Sequence, residues 1–144
     1  MAIEAARAAR DEVDVSLQPA DAVTPEIIFE AGAYLFVAPE NLGSLSGAMK
    51  ELLDRCYYPL LGKVEGRAYA SIIAAGSDGT GAERQLDRIV TGWRLKRIAD
   101  GLIVNFDAQS SEAILAPKTV RKDSLEHCRI LGAALGAGLT LGVF

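Results

Sequence analysis

The 144-residue sequence is poor in the residues from which most catalytic and metal sites are built. It contains one histidine and two cysteines. His127 stands between Glu126 and Cys128 in a stretch patterned as a helix, and a surface helix position is its simplest reading. Cys56 and Cys128 show no C-x-x-C and no metal-ligand spacing, so no metal is expected. Each reads as a small buried hydrophobe in a reducing compartment. No nucleophilic triad and no general acid/base pair is visible, and no catalytic side chain is assigned. Long hydrophobic runs are missing too. The apolar tail Ile130–Phe144 is Gly-rich and shorter than the roughly 20 residues a membrane span needs. The first residues, Met-Ala-Ile-Glu-Ala-Ala-Arg, carry no apolar signal core, so the expected location is the cytoplasm. Lysine and arginine do not cluster and the net charge is −4, which argues against nucleic acid as a partner.

What is present is an alternating pattern. Half of the residues are hydrophobic and 24% charged, as in a folded globular protein. The length fits one domain. Residues 2–11 are Ala- and Arg-rich with high helix propensity. Val13, Val15 and Leu17 alternate with Asp14 and Ser16, predicting a short strand with one polar face. Thr24-Pro25-Glu26 starts a short helix, with Thr24 as N-cap and Pro25 in the first position. Ala33–Ala38 is an apolar run that Pro39 should end. A polar loop, Pro39–Ser44, and a helix from about Leu45 follow, with Leu45, Met49, Leu52 and Cys56 on one face.

Ala68–Ala75 predicts a second buried strand, Gly76–Gly81 a Gly-rich loop, and Ala82 to about Lys96 a helix. Asp78 and Thr80 are the candidate N-caps of that helix. Leu102–Phe106 predicts another strand, Ser111–Leu115 one helical turn, and Asp123 the start of a last helix. Such alternation predicts an α/β fold with a mainly parallel sheet and helices on both faces. In open sheets of this kind, ligands bind at the carboxyl ends of the strands.

Tyr34–Arg55 resembles the flavodoxin-like FMN-binding oxidoreductases, which include NAD(P)H-dependent FMN reductases and quinone reductases. Pro39, Gly43, Ser46, Gly47, Lys50, Asp54 and Arg55 stand at the places of that family's second flavin loop. Gly76-Ser-Asp-Gly-Thr-Gly81 matches its Gly-rich third loop in position and character. The resemblance implies a flavodoxin-like three-layer α/β/α sandwich of family strand order 2-1-3-4-5. It also implies FMN as cofactor, NAD(P)H as a possible donor and a small-molecule electron acceptor. The ring-binding residues it implies are Pro39, Glu40, Asn41, Leu42, Gly43, Ser44, Gly76, Ser77, Asp78, Gly79 and Thr80. The dinucleotide fingerprint is not present, because the glycines run G-x-x-G-x-G.

Aligned by these motifs, the sequence starts inside the family's first helix, without the first strand and its Ser/Thr-rich phosphate loop. The expectation is therefore a natural protein longer by roughly 20 residues. Other readings stand beside these. Pro39–Gly47 is also a plausible tight βα turn with Ser44 or Ser46 as N-cap, and Asn41 a turn-stabilising residue. Asp54-Arg55 reads as a structural or intersubunit ion pair, and Tyr57, Tyr58 and Trp93 as core or subunit-contact aromatics. The glycines of Gly132–Gly142 suit close packing against another subunit, giving a homo-oligomer. The alternative to a flavin enzyme is a flavodoxin-fold protein without flavin, acting as a structural or interaction module.

Overall fold

The structure is a computed structural model that describes all 144 residues. Helix α1 spans Ala2–Ala9, and a single 3-10 turn, Ala20–Ala22, leads to α2, Pro25–Glu30. Strand β1 covers Ala33–Asn41 and turns back through the two-residue β2, Ser44–Leu45, into α3, Gly47–Leu60. Strand β3 (Ala68–Ala75) and α4 (Thr80–Gly92) follow, then the short β4 (Lys96–Arg97) and β5 (Leu102–Asn105). Helices α5 (Ser111–Leu115) and α6 (Lys122–Thr140) complete the chain.

The sheet runs β2-β1-β3, with β4 and β5 both parallel to β3 along its far side. β1 and β3 are parallel over seven residue pairs, from Ala33–Ala68 to Pro39–Ala74. Alternation along the strands divides the core in two, as the pleat demands. Tyr34, Phe36, Ala38, Tyr69 and Ile73 pack with Met49, Leu53, Cys56, Leu86, Val90 and Trp93 of α3 and α4. Ala70, Ile72 and Val104, joined by half-buried Leu35 and Val37, pack with Ala5, Cys128 and Leu131 of α1 and α6. The result is the expected three-layer α/β/α arrangement.

Several local expectations need correcting. Val13–Leu17 is not a strand: Asp14 through Leu17 donate no backbone hydrogen bond. A strand exists only with a neighbour to pair with, and none stands beside this segment. β1 likewise has an open edge over Ala33–Pro39, since β2 covers only Glu40 and Asn41. Pro39 does not end β1. It is exposed on that open edge, where a missing N–H is no loss, and the strand runs on into the hairpin. Asp54 and Arg55 do not pair with each other but with Lys50 and Glu51, one helical turn back. Arg55 also reaches across to the carbonyls of Val23 and Ala20, tying α3 to the segment before α2.

The tail glycines are used within the chain. A Cβ on Gly132 would overlap the Ala5 carbonyl, and one on Gly136 would press on Ala9. Both let α6 lie backbone-close to α1, so their small size already has a use within the chain. Thr24 caps α2 through Ile27, Ser46 rather than Ser44 caps α3 through Met49, and His127 is exposed. Tyr57 stacks on fully buried Trp93, whereas Tyr58 is exposed.

Four buried acids share one electrostatic trend. Burial pushes the Tyr34 and Tyr69 hydroxyls and the Cys56 and Cys128 thiols above their ordinary values. At Tyr69 the hydrogen bond to the Asp87 carboxylate adds to the effect. The folded protein thus keeps protons that the unfolded chain gives up. Their contribution to stability is complete below the free thiol value of about 8.5 and falls as pH rises beyond it, first for thiols and then for phenols near 10. Urea midpoints should therefore decline steadily from pH 8 to pH 11. A flat profile over that range would contradict this.

Candidate functional site

The C-terminal ends of β1, β3 and β5 meet at one edge of the sheet, and three loops leave from there. The first is the β1–β2 hairpin. Its tip, Leu42-Gly43, has positive φ at both residues, 54° and 73°, the mirror-image turn that suits a two-residue hairpin. Glycine takes that conformation freely; Leu42 does so under strain while its side chain is fully exposed.

The second loop joins β3 to α4, and it is bound to the hairpin from both sides. The Glu40 carboxylate accepts hydrogen bonds from the backbone N–H of Gly79 at 2.7 Å and of Ala82 at 3.3 Å. It therefore caps α4 from a different element. Gln85, one turn into α4, returns the contact: its Oε1 accepts from the Ser44 hydroxyl at 2.7 Å and the Leu45 N–H at 2.8 Å. Between these two bridges Gly81 faces Gly43 so closely that a Cβ would overlap the Gly43 carbonyl. Asp78 and Thr80 are not the N-cap. That position is Gly79, in the left-handed region at φ 93°, and Asp78 bonds only the N–H and hydroxyl of Thr80. A bidentate carboxylate from the neighbouring strand satisfies the orphan N–H groups that a local cap would otherwise serve.

The third loop lies outside the two stretches that the family resemblance points to. Asn105 donates from Nδ2 to the Ser77 carbonyl, and its Oδ1 accepts from the N–H of Asp107, itself at φ 52°. The Ala108 N–H bonds the Gly76 carbonyl at 2.6 Å. The signal was present: Asn105-Phe-Asp107 follows an apolar strand, and strand ends are where such sheets bind ligands. Gln85 had no comparable signal, because its role depends on a hairpin some forty residues earlier.

The eleven residues that the resemblance implies all lie on the β1–β2 hairpin with its strand ends or between β3 and the first residue of α4. Pro39 accepts from the Ser46 N–H, Asn41 pairs with Ser44, and Gly76 and Ser77 hold the third loop through their carbonyls. The backbone N–H groups of Leu42, Gly43, Ser77 and Asp78 donate to nothing within the chain. The rim thus presents free donors, while a carboxylate already takes two N–H groups at its nearest helix N-terminus.

A family model described as "NADPH-dependent FMN reductase" matches residues 9–109, more than half of the chain. The chain belongs to the NADPH-dependent FMN reductase family. No curated protein matches it. Among solved structures, it is similar to a flavodoxin from the domain Archaea: TM-score 0.74, 13% identity, 95% of this chain and 86% of that one. A WrbA-like flavodoxin from Agrobacterium tumefaciens aligns at TM-score 0.73 and 16% identity, over 97% and 90% of the two chains. The flavodiiron protein of Giardia intestinalis aligns at TM-score 0.76 and 14% identity, over 98% of this chain. There the chain spans only 32% of its counterpart's length. At these identities the structural likeness establishes the flavodoxin fold.

The chemistry class of this family is flavin-linked oxidoreduction, and the donor set at the rim can be compared with FMN. The pyrimidine edge of a flavin carries carbonyl oxygens and ring nitrogens, and the free N–H groups of Leu42, Gly43, Ser77 and Asp78 suit such acceptors. At the start of α4 the Glu40 carboxylate takes the N–H groups of Gly79 and Ala82, so a negative charge already stands where an anionic group would otherwise bind. The ring side of FMN fits these loops.

Proposed function

We propose that this protein is an FMN-dependent oxidoreductase that passes electrons from NAD(P)H or a redox partner to a flavin, quinone or similar small acceptor. The observation that carries the reading is the rim of two cross-braced loops at the sheet's carboxyl edge, where the backbone N–H groups of Leu42, Gly43, Ser77 and Asp78 are unused. Bound there, FMN would supply the hydride and electron chemistry itself. The chain's own part is to bind and orient. Leu42, Gly43, Ser77 and Asp78 offer hydrogen bonds to the ring edge, and close loop packing keeps those donors in place before the ligand arrives. No protein acid or base is needed at the rim for this role.

Titration of the purified protein with FMN should quench flavin fluorescence to saturation and shift the flavin absorption bands. NADPH added to the complex should then bleach the visible band. A second reading, a flavodoxin-fold interaction module without flavin, is favoured by the Glu40 carboxylate, whose charge on the first turn of α4 opposes an anionic ligand there. Absence of any spectral change at millimolar FMN would establish that second reading over the first.

A further inference from the structure

We propose that Glu40 is a positioning residue for the flavin, locking the two donor-bearing loops into one rigid rim and setting the charge beside the ring. The inference rests on the reading that FMN binds at this rim. Glu40 stands at the end of β1, two residues before Leu42, and its carboxylate bonds Gly79, one residue after Asp78. It therefore joins the two pairs of free N–H groups directly. Gln85 makes the reverse bridge, from α4 to Ser44 and Leu45, and Gly81 leaves no gap between them. A loop held by one bond can rotate about it; two bridges flanking a backbone contact cannot be loosened singly without disturbing the other.

The arrangement has a second consequence, for charge. The partial positive charge at the start of α4 would favour an anionic, reduced ring nearby. Glu40 places a fixed negative charge on that helix end and cancels much of this attraction. Reduction adds negative charge to the ring, so a neighbouring carboxylate disfavours the reduced form. Removing the charge while keeping the shape should raise the midpoint potential of the bound flavin.

The test uses Glu40→Gln and Glu40→Ala beside the unaltered protein. Each is first compared by circular dichroism and urea midpoint, then by FMN titration, spectroelectrochemistry and amide hydrogen exchange. Glu40→Ala should weaken FMN binding at least tenfold and speed exchange at Gly79, Ala82 and, through the paired bridge, Leu45. Glu40→Gln keeps one acceptor oxygen, so it should recover part of the affinity while its flavin potential moves upward. Folded variants that bind FMN within twofold of the unaltered protein, with unchanged potential, would overturn the inference and leave the proposed function standing. Failure of the unaltered protein to bind FMN would instead remove the reading on which it rests. Should Glu40→Ala not fold, Glu40→Gln decides through affinity and potential together.

Discussion

Gly81→Ala should lose FMN binding by at least tenfold while the protein stays folded. At Gly81 a single methyl group would overlap the Gly43 carbonyl and crowd the Glu40 carboxylate. The obstacle on one side is backbone, which cannot rotate away as a side-chain end can. Either the hairpin tip lifts off α4 or the first turn of α4 shifts. Both movements separate Leu42 and Gly43 from Ser77 and Asp78. Overpacking of this kind typically costs about 1–3 kcal/mol, below the roughly 5–15 kcal/mol that holds a domain together. Gly47→Ala is the matched control. It lies at the start of α3 with open space around the added methyl, so both binding and stability should stay close to the unaltered protein. Fluorescence titration and urea unfolding of the two variants separate the outcomes. Equal FMN affinity in both would show that the loops do not hold the ring together.

The second large effect concerns stability alone. Trp93 closes α4 and is fully buried. Its indole N–H donates to the Tyr57 carbonyl at 3.0 Å, and its ring stacks on Tyr57 at 5.9 Å between centroids. Trp93→Ala removes the largest fully buried side chain, the stack and the hydrogen bond at once. Substitutions of this kind cost about 3–5 kcal/mol. For a domain of ordinary stability, this should shift the urea midpoint sharply downward or prevent folding. Trp93→Phe keeps most of the volume and loses mainly the hydrogen bond, worth about 1 kcal/mol. The alanine variant should therefore be the less stable of the two by a wide margin.

Trp93 also shows why some parts of the molecule could be read in advance and others not. Its place on the inner face of a helix follows from spacing with Leu86 and Val90, and all three are buried. The same local logic located the strands at Ala33, Ala68 and Leu102, the Thr24 cap and the apolar face of α3. Periodicity and capping are properties of neighbours in sequence, so they survive without any knowledge of tertiary contacts. Val13–Leu17 had the right alternation but no partner strand, and alternation alone does not make a strand.

The two loops that carry the candidate site were legible as well, because strand ends, glycines and a family resemblance coincide there. Their relation to each other was not. From sequence, Glu40 is one of eleven residues that the resemblance sets at the ring, Gln85 one more polar residue on a helix, and Asp78 or Thr80 the natural cap of α4. Only the parallel pairing of β1 with β3 puts the Glu40 carboxylate beside the first N–H groups of α4, where it displaces the local cap. Likewise only the packing of α6 on α1 explains Gly132 and Gly136, which otherwise suggested a second subunit. Sequence by itself determined the α/β alternation, the inward faces and the loops at the sheet's carboxyl edge, all of them short-range patterns. The tertiary structure decided which groups meet across those loops, since such contacts depend on strand register and helix approach that no local pattern encodes.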